Sequence, residues 1–478
     1  MAVVTRIAII GGGPAGYEAA LVARDLGAEV SLIEADGAGG ACVLYDCVPS
    51  KTLIATSERV TAFRNAPSLG VCSSSVADVE VKLSVVNERV RELAHNQSSD
   101  IQDRLIRQGV SVLRGYGRFA AEQRGRTYAV EVGDTPDGPV AQRVEADVVL
   151  LATGGTPRVL AGAEPDGERI LSWRDVYNLT ELPEHLIVVG SGVTGAEFAS
   201  AYSEMGVAVT LVSSREKVLP GEDPDAADVI EKVFTERGGT LMKQARASMV
   251  TRHRGAEGEP DTVEVTLVDG RSVTGSHVLM CVGSVPNTAG LGLEHVGLEP
   301  GPSGFLEVDR VSRTSVGGIY AAGDCTGVLL LASVAAMQGR IAMWHALGEA
   351  VAPLRLKTVA ANVFTHPEIA TVGIGHAAVT SGQVPARTVT LPLAGNARAK
   401  MQGISDGFVK LYCRPATGVV IGGAVVAPQA SEQILPIATA VQLGLTVNEL
   451  AAAFAVYPSV SGSITEAARQ LSRHDDLD

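Results

Sequence analysis

The sequence predicts an α/β fold: two Rossmann-like modules, each able to bind a dinucleotide, followed by a separate α+β C-terminal domain. Three observations carry that prediction. A glycine-rich strand–turn–helix pattern occurs twice. Each copy runs on through a strand-rich stretch into an apolar strand that ends in glycine. From about residue 355 the pattern changes to alternating strands and then a helix. The 478 residues suffice for roughly three domains at about 150 residues each.

The first unit reads RIAIIGGGPAGYEAALVARDLGAEVSLIE: an apolar strand at 7–10, a turn, a helix and a second strand ending at Glu34. Gly11, Gly13 and Gly16 have the G-x-G-x-x-G spacing. In that pattern the first glycine makes the turn, the second lets a pyrophosphate approach, and the third lets the helix pack on the strand. Pro14 and Ala15 lie at the helix start, where free N–H groups point outward and favour phosphate. Glu34 stands 23 residues after Gly11, where an acid grips a ribose hydroxyl.

The pattern returns in HLIVVGSGVTGAEFASAYSEMGVAVTLVSS with Gly190, Gly192 and Gly195, after an apolar run ending at Val189 and before a helix expected at 196–205. Val193 and Thr194 take the places of Pro14 and Ala15. Each copy is followed by strands with an Asp-Gly turn, Asp137-Gly138 and Asp269-Gly270, then by DVVLLATGG or HVLMCVGS. One such motif is weak evidence, since glycine turns also serve packing. Two in matching contexts imply two dinucleotides and electron transfer between them. A helix-period stretch at 83–108 is expected as a solvent-facing helical insert, and SEQILPIATAVQLG as a C-terminal helix.

Hydrophobic residues make up 46% of the chain, charged residues 19%, and the net charge is −14. That balance speaks against general nucleic-acid or anionic-membrane binding, so an anionic cofactor must be held by local features. No charge-free apolar run reaches membrane-spanning length and no targeting segment is visible. The protein is therefore expected to be cytoplasmic, with no integral membrane segment.

Two of the six cysteines, Cys42 and Cys47, lie in GGACVLYDCVPSKT. In a regular helix five residues rise about 7.5 Å, beyond the roughly 7 Å that a disulfide spans, so the pair closes only across an irregular helix start. A thiol in a first helical turn gains acidity from the helix dipole. Redox-capable thiols, two unlinked buried thiols and a metal site are the alternatives. The metal reading lacks further ligands, because Cys72 is 25 residues away and no histidines cluster nearby.

With these motifs in view, the chain resembles the two-dinucleotide flavoprotein disulfide reductases, which include dihydrolipoamide dehydrogenase, glutathione reductase, mercuric reductase and soluble transhydrogenase. The resemblance covers nearly the whole length. It rests on both fingerprints, C-x4-C-x-P-S-K, ATGGTP (152–157), GSVPNT (283–288), GIYAAGD (318–324) and FTHPEIATVG (364–373). It implies FAD in the first module, bound also by Gly117, Thr153, Gly154, Asp324 and Ala332, and NAD(P)H in the second, with Gly283 beside it. It implies that Lys51 approaches the flavin and pairs with Glu197, that Cys47 faces the flavin and Cys42 the substrate, and that the last domain forms a homodimer. The corresponding boundaries are 1–156 and 283–354 for FAD, 157–282 for NAD(P), and 355–478 for dimerisation.

The chain also departs from that family. Asp46 precedes Cys47, where a carboxylate disfavours a thiolate or serves only as a solvated helix-entry group. Where dihydrolipoamide dehydrogenases carry His-Pro-x-x-x-Glu, this chain has VYPSVSGSITEA, with Tyr457 at the histidine and Gly462 at the glutamate. A tyrosine is a poor base at neutral pH, and Tyr457 either fills the dimer interface or serves the flavin site. At the ribose-binding strand end, Ser213, Ser214, Arg215 and Lys217 replace an acid. They suit a 2′-phosphate or form a solvated loop, so NADPH is expected, with NADH as an alternative donor. Without the acid–base pair, an FAD-dependent NAD(P)H:quinone reductase is the favoured reading, and the chain most resembles actinobacterial-type quinone reductases once named lipoamide dehydrogenases. A disulfide reductase using Cys42 and Cys47 is the alternative, and a non-catalytic flavin-binding regulatory protein the third.

Overall fold

The computed structural model describes residues 4–71, 80–123, 125 and 127–472; Cys72 lies outside them. The chain divides into two compact units, one of Met1–Ser50, Glu88–Arg158 and Gly283–Arg355, the other of Lys51–Asn87, Val159–Val282 and Leu356–Asp478.

The first unit is built on a parallel five-stranded sheet in the order Ile319–Ala321, Val148–Leu151, Arg6–Ile10, Glu29–Glu34, Ser111–Arg114. RIAII and VVLL are continuous apolar runs because both faces of these strands are covered. Helices Pro14–Asp25 and Ala332–Ala346 pack with small residues between them. A Cβ on Gly339 would stand 2.1 Å from the Ala15 carbonyl oxygen, so only glycine allows that approach. An antiparallel three-stranded sheet, Tyr116–Phe119, Tyr128–Gly133 and Val140–Ala146, turns at Asp137-Gly138 as expected.

The second unit repeats the plan: a parallel sheet ordered Thr240–Met242, Ala208–Val212, His185–Val189, His277–Met280, Ile170–Ser172, and an antiparallel trio turning at Asp269-Gly270. It also holds the C-terminal sheet, antiparallel, ordered Ala360–Val363, Glu368–Gly373, Val420–Ala427, Phe408–Cys413, Arg387–Pro392. Helices Leu435–Leu443 and Gly462–Ser472 supply Ile437, Ala440, Ile464, Ala467 and Leu471 to the core over this sheet.

Three expectations need adjustment. The second fingerprint helix spans Val193–Glu204, not 196–205, because Gly192 already serves as its N-cap. The long helix Leu83–Arg107 is amphipathic rather than wholly solvent-facing: Leu83, Asn87, Val90, Ala94, Ser98 and Leu105 are buried. The expected C-terminal helix is two pieces, Ala430–Gln433 and Leu435–Leu443, and Pro436, which lacks an N–H, sits in the first turn of the second piece.

Candidate functional site

The two fingerprints assign the same three jobs to their glycines. Gly11 and Gly190 have φ of 105° and 111°, and a Cβ on them would lie 2.2 Å from Ala152 O and 2.1 Å from Cys281 O. Gly16 and Gly195 let helix meet strand: a Cβ on either would stand 1.8 Å from the carbonyl oxygen of Gly11 or Gly190. Gly13 and Gly192 instead face open space, with no atom nearer than 4.0 Å to a Cβ at Gly13 and none within 4 Å at Gly192. Both are helix N-caps without a side-chain cap, followed by Pro14-Ala15 and Val193-Thr194. Each helix start thus presents N–H donors across a gap the second glycine leaves clear, the setting a pyrophosphate needs.

Beyond the glycines the modules part. Glu34 is nearly buried, and its carboxylate accepts from Gly12 N at 2.5 Å and from Asp36 N at 2.8 Å. Burial raises its pKa while these backbone donors oppose the rise. In the second module Ser213 is 1% exposed and its hydroxyl lies 2.7 Å from that of Ser191. It also accepts from Arg215 N and donates to Arg215 O, both at 3.1 Å. Lys217 is paired with Asp228. Ser213 and Lys217, expected beside a 2′-phosphate, thus also have partners within the fold. Ser214 and Arg215 are exposed at the same strand end.

The cysteines sit on separate helices, Gly40–Leu44 and Cys47–Asn65, and both are half-buried. Gly39 and Gly40, at φ 94° and 57°, shape the entry to the first helix, and Tyr45, at φ −136°, ends it. Tyr45 N and Asp46 N both donate to Ala41 O, at 2.9 and 2.8 Å. Asp46 O accepts from Ser50 N at 2.8 Å, so Asp46 opens the second helix. Burial, with Asp46 as a second cause, raises Asp324 to about 6. Asp324 begins a short 3-10 turn whose preceding Gly323 N donates to Gln338 Oε1 at 2.9 Å.

The first unit's residues fit a large polar cofactor. Among the described residues, Ser50 Oγ and Thr153 Oγ1 are buried polar atoms without a hydrogen-bond partner, and unsatisfied hydroxyls of this kind call for a ligand or water. Gly154 (φ 67°) leaves open space, and its carbonyl accepts from Asn287 N at 3.0 Å. Gly283 (φ 94°) also borders open space. Ala332 is the first residue of its helix. Gly117 lies against Ile10 and Ile33, where a Cβ would come within 3.1 Å, so packing alone accounts for it.

In the second unit Lys51 Nζ donates to Glu197 Oε2 at 2.8 Å, and the other carboxylate oxygen accepts from Phe364 N at 2.9 Å. The Lys51 ammonium also stands 4.9 Å from the Phe364 ring centroid. Seven residues on, Glu204 accepts from Thr61 at 2.7 Å and lies 3.8 Å from Arg237; burial lifts it to about 7. Sequence reasoning missed Glu204, although its i+7 spacing from Glu197 places it on the same helix face. It also missed Lys410, 2% exposed, which binds Asp223 at 2.7 and 2.8 Å and Asp225 at 2.6 Å; alternation along its strand would only have marked it as buried. Tyr457 is 87% exposed, beside exposed Phe454 and Val456. Among the described residues no helix is long and apolar enough to cross a membrane.

Comparison with known proteins agrees with this duplicated architecture. The pyridine nucleotide-disulphide oxidoreductase family matches residues 5–339, and the dimerisation domain of the same family matches 359–468. An NAD(P)H dehydrogenase (quinone) of Mycobacterium tuberculosis is 59% identical over 99% of this chain and 95% of that protein. A dihydrolipoyl dehydrogenase of Chlorobaculum tepidum is 32% identical over 97% and 96%. The crystal structure of LpdA from M. tuberculosis superposes with a TM-score of 0.92 at 58% identity, covering 98% of this chain and all of that one. The flavoprotein disulfide reductase RclA of Escherichia coli, at 24% identity, shares the fold with a TM-score of 0.83. With two fingerprints built alike and matches that run almost end to end, this chain belongs to the pyridine nucleotide-disulphide oxidoreductase family.

Proposed function

We propose that the chain is an FAD-dependent NAD(P)H:quinone oxidoreductase. The observation that carries the reading is the 59% identity, over nearly the full length of both proteins, with a relative named for that activity. Bound flavin supplies a two-electron carrier between nicotinamide and acceptor. The chain's residues do the rest. Segments 1–156 and 283–354 hold FAD through the Gly11–Gly13–Gly16 turn, Glu34 and Asp324. Segment 157–282 holds NAD(P)H through Gly190, Gly192 and Gly195. Glu197 holds the Lys51 ammonium aimed, since its second oxygen is pinned by a backbone N–H.

Passing electrons from flavin to a quinone needs no dedicated base for a thiol, and Tyr457 stands where the related dehydrogenases place one. Segment 355–478 joins a second copy into a homodimer, in keeping with the matched dimerisation domain and the exposed Phe454, Val456 and Tyr457. The retained Cys42 and Cys47, on adjoining helices, support a second reading as a dihydrolipoyl dehydrogenase-type disulfide reductase. Anaerobic reduction with one equivalent of NADPH, followed by reoxidation with a naphthoquinone or with lipoamide, separates the two. Fast reoxidation by quinone alone is expected; fast reoxidation by lipoamide would overturn the assignment.

A further inference from the structure

Helix Val193–Glu204 carries Glu197, Ser200 and Glu204 on one face, spaced three and then four residues apart. Both acids are 3% exposed. Each divides its two oxygens between the same two neighbours. Glu197 takes Lys51 of helix Cys47–Asn65 with Oε2 and the backbone N–H of Phe364 with Oε1. About two turns on, Glu204 Oε2 accepts from Thr61 of that same helix at 2.7 Å. Its Oε1 accepts from Ser200 Oγ at 3.3 Å, and Ser200 in turn accepts from His366 N at 3.1 Å.

Arg237 closes the second bridge. Its Nη1 lies 3.8 Å from Glu204 Oε1 and donates to His366 O at 3.2 Å. Arg64 Nη1 donates to the Glu204 carbonyl oxygen at 2.7 Å, a further hold on the helix Cys47–Asn65. Segment 364–366 is thereby held at both ends, and it carries the Phe364 ring whose centroid lies 4.9 Å from the Lys51 ammonium. Lys51 and Thr61 stand about 15 Å apart along their helix. A helix tied at one point can pivot there, and a second tie at that distance removes the freedom.

We infer that Glu204 is a positioning residue for Lys51. Through Thr61 on one side and Ser200, Arg237 and His366 on the other, it fixes the angle at which the Lys51 ammonium meets Glu197 and the Phe364 ring. This rests on the reading that Lys51 serves flavin reduction. The charged groups around Glu204 are Arg237, Arg64 and Glu58, while burial lowers His366 to about 4 and leaves its ring neutral. Burial, above all, raises Glu204 to about 7. Once ionised, Glu204 is the stronger acceptor for Thr61 and Ser200 and draws Arg237, so the hold tightens.

Stopped-flow reduction of the holoenzyme's flavin by NADPH, on both sides of pH 7, tests this. Lys51→Met should slow the limiting rate about tenfold; an unchanged rate would sink the reading of Lys51 itself. Glu204→Ala should slow it about fivefold, while half-saturation by NADPH moves less than about twofold. In the Lys51→Met background Glu204→Ala should add less than about twofold, because its effect runs through the lysine. Thr61→Val, which cuts one tie and keeps the acid, should slow the rate about threefold, and it decides the matter if Glu204→Ala does not fold. The wild-type limiting rate should rise about threefold as pH passes 7. Glu204→Gln, which keeps an acceptor oxygen, should recover most of the rate lost in Glu204→Ala and abolish that rise. If Glu204→Ala slows reduction as much in the Lys51→Met background as in wild type, or lowers the thermal midpoint without changing the rate, the inference is wrong.

Discussion

The first and second fingerprint helices are the same device with different surroundings. Adding 179 to a residue number in the first gives its counterpart in the second: Gly11, Gly13 and Gly16 become Gly190, Gly192 and Gly195, and even Glu18 becomes Glu197. The backbone contacts agree to about 0.1 Å, 2.2 against 2.1 Å at the first glycine and 1.8 Å at both third glycines. The side chains do not follow. Glu18 pairs with Arg340 at 2.9 Å near the surface, whereas Glu197 is 3% exposed and pairs with Lys51 at 2.8 Å. Asp25 is exposed, whereas its counterpart Glu204 is buried at 3%. Close backbone approach leaves the glycines no alternative, while an acid on the helix surface takes its role from whatever packs on it.

The largest expected break comes from the buried charge that ties the second module to the C-terminal sheet. Lys410→Met strands Asp223, whose carboxylate caps helix Pro224–Glu236, and should cost about 3–5 kcal/mol in urea unfolding. Arg340→Met, which opens the half-exposed pair in the first module, should cost about 1 kcal/mol or less. Equality of the two would refute the contrast. Next come Gly16→Ala and Gly195→Ala, which should destabilise by similar amounts, about 3 kcal/mol, because each Cβ meets a carbonyl oxygen that strand geometry holds fixed. Clearly unequal losses would show that the two turns are not equivalent.

Glu197→Gln should slow quinone turnover about tenfold by loosening Lys51, while Glu18→Gln should leave it within about twofold. Stopped-flow flavin reduction would report both. The smallest effect is a pH dependence. Glu204 is raised from its ordinary 4.5 to about 7, so the folded state binds its proton more tightly than the unfolded chain does. The stabilisation is complete below pH 4.5 and is lost as pH rises to about 7. Glu204→Gln should flatten the thermal-midpoint profile in that window, and an unflattened profile would refute the assignment.

Much of the fold was legible in the residues, because period and punctuation are local. Apolar runs ending in glycine became parallel strands, and both Asp-Gly pairs became hairpin turns. Boundaries slipped where a backbone feature overrode side-chain pattern, as at Gly192, which starts its helix three residues early. The site was legible unevenly. The glycines could be read because their requirement is steric and lies within a few residues. The partners of Ser213 could not: its hydroxyl meets Ser191, 22 residues away, and Arg215, contacts that no local pattern announces.

By itself, then, the sequence determined the duplication, the strand–turn–helix geometry and the paired cysteines at an interrupted helix start, all of which follow from short-range sterics and spacing. Only the tertiary structure decided which equivalent acids were buried and which hydroxyls were spent. It also decided that Lys410 would meet Asp223 from 187 residues away. Burial and hydrogen-bond satisfaction are set by long-range neighbours, and those depend on how the chain closes on itself rather than on any local pattern.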